Sequence, residues 1–343
     1  MKRLLKNPLF NVGLLLLIGA IVLYFSLKDD FEGIISSLRA ANLQWGYFSF
    51  ALILLYYYIA GYLLKIYSNL FNPNFSTTQG FIIALIGVFG SSITPSASGG
   101  QIFQIASFKK YGVKSSQSAS IVWLDFIIYQ TTMIVFVAIL FVLKFSDYFV
   151  KGGPIFYVVL AGFGVNVVIM AILFLLYKSN KFHYWIVHRV ITFLHKLKVI
   201  KNPDKTISNI DGQIKHFHES SKHIENNRKL LINAVILNAF RLIIYYSLPY
   251  FIMLTLNIEI EAHHILDIIC LTSFVSMVNA FIPIPGASGG TELTFVSVFA
   301  PLVTSGIISV MLVWRFITFY FIVVLGGLIF YLVSRYQISR MEV

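Results

Sequence analysis

Apolar residues in this chain come in long, nearly unbroken runs, not in the alternating or helical stripes of soluble strands and helices. Six runs are long enough to cross a hydrocarbon core as helices: 9–27, 43–66, 118–145, 154–177, 230–256 and 305–333. A membrane barrel would instead show short segments alternating apolar and polar residues. The pattern therefore predicts an all-α polytopic membrane protein with six full spans.

Two more apolar stretches, 80–111 and 265–303, are each interrupted midway. The first is broken by TPSASGGQ, residues 94–101, and the second by IPGASGGTE, residues 284–292. Proline ends a helix, and paired glycines admit turns and close approaches closed to other residues. A surface turn between two short helices would also fit either string. The flanking pieces are too short to span alone, however, so each stretch is predicted to be a broken-helix hairpin that enters and leaves by one face. Irregular backbone survives there only when buried in protein or facing water.

Composition agrees with the pattern. The chain is 58% hydrophobic and 12% charged, with a mean hydropathy of +0.81, which excludes an ordinary soluble domain. A single cysteine, Cys270, excludes an internal disulfide framework. The first run follows MKRLLKN, yet it is longer than a leader's apolar core and has no small-x-small site before Lys28-Asp29-Asp30. It reads as a retained helix.

The net charge of +12 is first a statement about topology. Residues 178–229 form the one long polar segment, with eleven Lys and Arg against four Asp and Glu, which marks the cytoplasmic side. Basic residues at both ends of the chain place both termini there too. Lys109, Lys110 and Lys114 then fall inside, while Asp29, Asp30, Glu32, Glu259 and Glu261 fall outside. That count requires the first hairpin to enter from the cytoplasm and the second from outside.

The chain so divides into 1–177, the basic segment 178–229 and 230–343, together one membrane domain. Its two halves form an inverted-topology repeat with two re-entrant hairpins. Pro95, Ala97, Ser98, Gly99 and Gly100 match Pro285, Ala287, Ser288, Gly289 and Gly290, 190 positions apart. Amphipathic stretches of the basic segment, such as 182–201, are expected on the inner leaflet. Its charge gives nucleic-acid binding no further support.

Ser98 stands three residues before Gln101, the spacing of a capping box. In the second copy Thr291 replaces Gln101 and Glu292 follows it, which moves the expected cap to Gly289. Two half-helix N-termini directed at the protein's middle favour an anionic group such as a phosphate.

Four ionisable residues sit within apolar sequence: Asp125, Arg241, Glu292 and Arg315. Each costs about 2.5–3.5 kcal/mol at a helix centre, so they must be paired or hydrated. Asp125 and Arg315 are again 190 apart. Two ion pairs that lock the halves together would account for the balance of signs. So would a polar pathway in which the arginines meet an anionic head group and the carboxylates relay protons or cations. The candidate substrate-binding set is Pro95, Ser98, Gly99, Gly100, Gln101, Asp125, Arg241, Pro285, Ser288, Gly289, Gly290, Glu292 and Arg315. His216 with His218, and His263 with His264, lack further ligands at metal spacing and read as loop residues. Tyr56-Tyr57-Tyr58 points around a whole helix and reads as packing. No metal, cofactor or catalytic residue is expected.

ITPSASGGQ with the basic patch after it, and PIPGASGGTE before a final long span, together resemble the lysylphosphatidylglycerol synthase/flippase transmembrane family. The resemblance covers essentially the whole chain, with Ala287 standing where many relatives carry an extra glycine. It implies a lipid-handling role in the bacterial plasma membrane, associated with aminoacylated phosphatidylglycerol and with resistance to cationic peptides. The family's full-length members carry a separate cytosolic transferase domain, which is expected to be missing from a chain that stops at Val343. The expected function is translocation or binding of an anionic or aminoacylated phospholipid or glycolipid. No ATP-binding loop is apparent, so energy would come from a gradient or from consumption of the product. Two other roles would suit the sequence. One is a membrane subunit for a separate lipid-modifying enzyme, held through 178–229; the other is a lysyltransferase in its own right.

Overall fold

The computed structural model describes residues 31–94, 99–144, 153–178, 224–279, 285–303 and 305–341, with isolated positions 185, 189, 192, 221, 222 and 282. All regular structure among them is helical. The 9–27 run, Pro95, Ser98, His216, His218 and most of the basic segment lie outside the described residues.

A short helix α1 (Phe31–Arg39) precedes the first described long helix, α2 (Leu43–Ser68). Asn42 caps α2, its side chain accepting from the Gln44 amide at 3.1 Å. The first broken stretch follows as α3 (Thr77–Ser92) and α4 (Gly99–Lys110). Ser76 and Gln79 close a reciprocal capping box at the start of α3, at 3.2 and 2.9 Å. Then come two long helices, α5 (Ser115–Leu143) and α6 (Gly153–Lys178).

The second half begins with α7 (Arg228–Thr255). A 3-10 turn at Ala262–His264 leads into α8 (Ile265–Asn279), and after another at Pro285–Ala287 comes α9 (Gly290–Phe299). A last long helix is divided into α10 (Ile307–Arg315) and α11 (Phe321–Met341) by a π-helical turn at Phe316–Tyr320.

Six described helical stretches are long and apolar enough to cross a membrane: 43–68, 115–143, 156–175, 228–255, 262–279 and 307–334. The protein is a multi-pass helical membrane protein. Five of the six coincide with expected spans. The sixth, 262–279, was expected only as one arm of a broken hairpin, and its leading 3-10 turn gives it spanning length. α3, its counterpart in the first half, is shorter at 16 residues.

Two packing features position the site. α3 and α4 fold back on one another, Gly87 facing Gln104 and Gly90 facing Phe103, with the Gly99 amide donating to Thr94 Oγ1 at 2.8 Å. α2 and α7 lie antiparallel along their length. The Asn42 amide donates to the Thr255 carbonyl at 2.7 Å, Trp45 stacks on Phe251, and Tyr56 meets Tyr245. The order long, short, short, long thus occurs twice, as α2 to α5 and as α7 to α11. The core between them is continuous, running from Ile53 and Leu63 through Ile121 to Leu248, Phe274 and Trp314.

Candidate functional site

At the centre lies a cavity of about 540 Å³, within the usual range for small-molecule sites. Both broken stretches reach it: Gly100 and Gln101 line it from the start of α4, Gly286 and Ala287 from the turn before α9. Asp125, Arg241 and Arg315 line it as well, so residues far apart in sequence meet on one surface. Pro285, Ser288, Gly289, Gly290 and Glu292 are not among its lining residues, nor is Gly99.

Those remaining motif residues do structural work. Gly289 has φ +86°, which a side chain would resist, and it caps α9. Its amide donates to Glu292 Oε2 at 2.7 Å. The other carboxylate oxygen, Oε1, accepts from Arg315 Nε at 2.7 Å, and Arg315 Nη2 donates to the Gly286 carbonyl at 3.0 Å. Arg315 and Glu292 are both buried. One amide of the second N-terminus is therefore met by a carboxylate of its own helix, and that carboxylate is neutralised by Arg315. Thr291, the counterpart of Gln101, donates to Asn279 Oδ1 at 2.7 Å and ties α9 to the end of α8.

The first N-terminus is built differently. Gly100 packs against Ser91 and the Gly87 carbonyl so closely that a Cβ there would overlap both. α4 is thus pressed onto α3 with its first turn exposed to the cavity.

Lining the same cavity is a second charge site, without an ion pair at hydrogen-bonding distance among the described residues. Arg241 is only 7% exposed, and its guanidinium lies 4.5 Å from the Tyr56 ring centroid and 5.0 Å from that of Tyr129. Its Nη1 donates to Asn238 Oδ1 at 2.9 Å, while Nε makes no hydrogen bond among the described residues. Asp125 Oδ1 is likewise buried without a partner, although Asp125 and Arg241 are within electrostatic range of each other. Of the two ion pairs that the balance of signs allowed, only Glu292–Arg315 forms among the described residues, and it does not join the halves. Buried, unsatisfied polar atoms cost about 1–3 kcal/mol each, more when charged, unless water or a ligand meets them.

Several lining residues were missed from sequence. Tyr56 and Tyr57 were read as packing, yet both line the cavity, with the Tyr56 and Tyr129 hydroxyls 3.2 Å apart. Tyr58 faces away and is 53% exposed. Gln104, Tyr245, Thr318 and Phe319 also line the wall. Phe319 sits within the π-helical turn, its ring 4.8 Å from the Arg315 guanidinium. Single π turns inserted in α-helices are frequent at functional sites, because they re-aim side chains within an otherwise regular helix. At the far end of α5, His264 Nδ1 lies 3.3 Å from Asp267, which also pairs with Lys144 at 2.7 Å. No group of three or more His, Cys, Asp or Glu side chains fit to hold a metal occurs among the described residues.

A bundle of apolar helices around a polar, charged cavity defines a multi-pass integral membrane protein. The chain belongs to the family described as the lysylphosphatidylglycerol synthase TM region, whose model matches residues 12–326. No curated protein that was searched matches the chain. The family ties this membrane protein to lipid handling.

Proposed function

We propose that this protein translocates a lipid across the bacterial plasma membrane, taking the head group into the central cavity while the acyl chains remain in the bilayer. The observation that carries the reading is the pair of charged side chains in the cavity wall: Arg241 and Asp125 line a cavity of about 540 Å³ together with Gly100 and Gln101 from the first turn of α4. A guanidinium and the amides of a helix N-terminus are a pairing that recognises phosphate. The lipid is an anionic or aminoacylated phospholipid or glycolipid. Arg241 is its phosphate ligand; Arg315, already engaged by Glu292, shapes the wall.

The two halves act as an inverted repeat, each folding one broken hairpin toward the shared centre, and their alternation exposes the cavity to each leaflet in turn. The antiparallel course of α2 and α7, equivalent helices of the two halves, supports that arrangement. Both termini and residues 178–229 lie in the cytoplasm. A purely anchoring role for a separate lipid-modifying enzyme would give the charges that line the cavity no task.

The test is leaflet distribution of a fluorescent phospholipid in vesicles reconstituted with the purified protein. Arg241→Gln is expected to slow translocation about tenfold or more, since losing one partner of a buried charged contact costs at least about 2 kcal/mol. Equal rates for the wild type and this variant would overturn the site.

A further inference from the structure

The cavity's charges imply what travels with the head group, an inference that rests on the reading above. Glu292 neutralises Arg315 at 2.7 Å, so among the described residues that line the cavity the charged side chains outside an ion pair are one cation, Arg241, and one anion, Asp125. Among the described residues, the groups around Asp125 offer it no second cation of its own. α2 contributes Tyr56, Tyr57 and the buried Tyr67; α5 adds Tyr129 one turn on; α7 brings Arg241, Tyr245 and Tyr246; α10 brings only the engaged Arg315. α4 presents Gln101 and Gln104, and α3 has no titratable side chain. Lys144 and Asp267, where α5 meets α8, bond to each other.

A phosphodiester carries one negative charge that does not titrate near neutral pH. Seated at Arg241, it would place two anions beside one cation in surroundings shielded from water, a situation that disfavours one of the charges strongly. Arg241 keeps its proton under all ordinary conditions, so the group that responds is the carboxylate.

We infer that Asp125 takes up one proton when a phosphodiester head group binds at Arg241, and that phosphate and proton are carried together as an electroneutral load. The balance closes: one negative charge enters on the phosphate and one positive charge as the proton. When the head group leaves to the other side the proton leaves with it, and the Asp125 carboxylate faces Arg241 again. For a head group whose one charge is the phosphodiester, lipid movement then follows a pH gradient and not the membrane potential.

Calorimetric titration of the purified full-length protein with dihexanoylphosphatidylglycerol, in buffers of different ionisation enthalpy, reads the number of protons taken up directly. The wild type is expected to take up about one proton per lipid, with affinity rising about tenfold per unit fall in pH across the titration of Asp125. Asp125→Asn is expected to bind with no proton uptake and a flat pH dependence. The wild-type proton count stands even if that variant fails to fold. Binding by the wild type without proton uptake, or binding that requires sodium in place of choline, overturns the coupling and leaves the head-group site standing. Absence of any binding by the wild type overturns both.

Discussion

Glu292 and Arg315 show how one side chain can belong to the fold and to the cavity wall at once. Arg315 lines the cavity, yet its Nε is committed to Glu292 and its Nη2 to the Gly286 carbonyl, so its removal strands a buried carboxylate. Glu292→Gln should destabilise the protein by about 3–5 kcal/mol, read as a fall in melting temperature in detergent, because it leaves a buried cation unpaired. Pairing Glu292→Leu with Arg315→Met should recover most of that loss. A translocation defect that persists in the stable double variant then belongs to the cavity and not to folding. Ala287 offers a gentler probe. It holds φ +51°, a left-handed conformation that costs a residue with a Cβ about 1–2 kcal/mol. Ala287→Gly relieves that cost while adding backbone freedom to the unfolded chain. The expected outcome is a melting temperature equal to or slightly above that of the wild type; a clear drop would mean that the Ala287 methyl packs usefully.

At the scale of elements, α2 and α3 cross where Gly61 and Gly80 bring their backbones into contact. A Cβ on Gly80 would overlap the Gly61 carbonyl, and one on Gly61 would come within 2.9 Å of the Gly80 carbonyl carbon. Small residues at such crossings let helices approach where lipid supplies no hydrophobic drive between them. Gly80→Ala should push the helices apart and cost at least the ~1–3 kcal/mol of an overpacked core, seen as a reduced monodisperse fraction after extraction. Unchanged extraction and melting would show that α3 slides without consequence, and with it the wall formed by Ala84, Gly87 and Val88.

Much at this scale was legible in the chain. Five long runs announced five spanning helices, and both Pro-Gly strings announced breaks. Several wall residues were also within reach: Tyr129, Tyr245 and Phe319 each follow a buried charge by four positions, and Gln104 follows Gln101 by three, so each pair shares a helix face. Tyr56, Tyr57 and Asn279 carry no such signal, because what turns them inward is packing between helices distant in sequence. The π-helical turn after Arg315 is equally silent in FITFY, whose residues would suit an α-helix. The choice of Glu292 as Arg315's partner depends on how α9 folds against α10, a tertiary fact that a balance of two signs leaves open.

For the whole molecule, the decisive question is the sense in which each half crosses the bilayer. The inverted arrangement places the loop after α4 on the opposite side from the loop before α8. Lys109, in the last turn of α4, is exposed, and so is Glu261, just before the 3-10 turn that leads into α8. Cys270 is the chain's one cysteine and is buried, so an impermeant maleimide should leave it unmodified in the folded protein. Single substitutions Lys109→Cys and Glu261→Cys can therefore be read against a silent background. In sealed right-side-out vesicles Glu261→Cys should label at once, and Lys109→Cys only after the membrane is opened. The charges agree with that sense, with basic Lys109, Lys110 and Lys114 at one surface and acidic Glu259 and Glu261 at the other. Labelling of both positions from one side would mean that the stretch between them, which holds α5, α6 and α7, crosses the membrane an even number of times. The two halves would then run in the same sense, and the cavity could not be offered to the two leaflets by their alternation, so a different account of its unpartnered charges would be required.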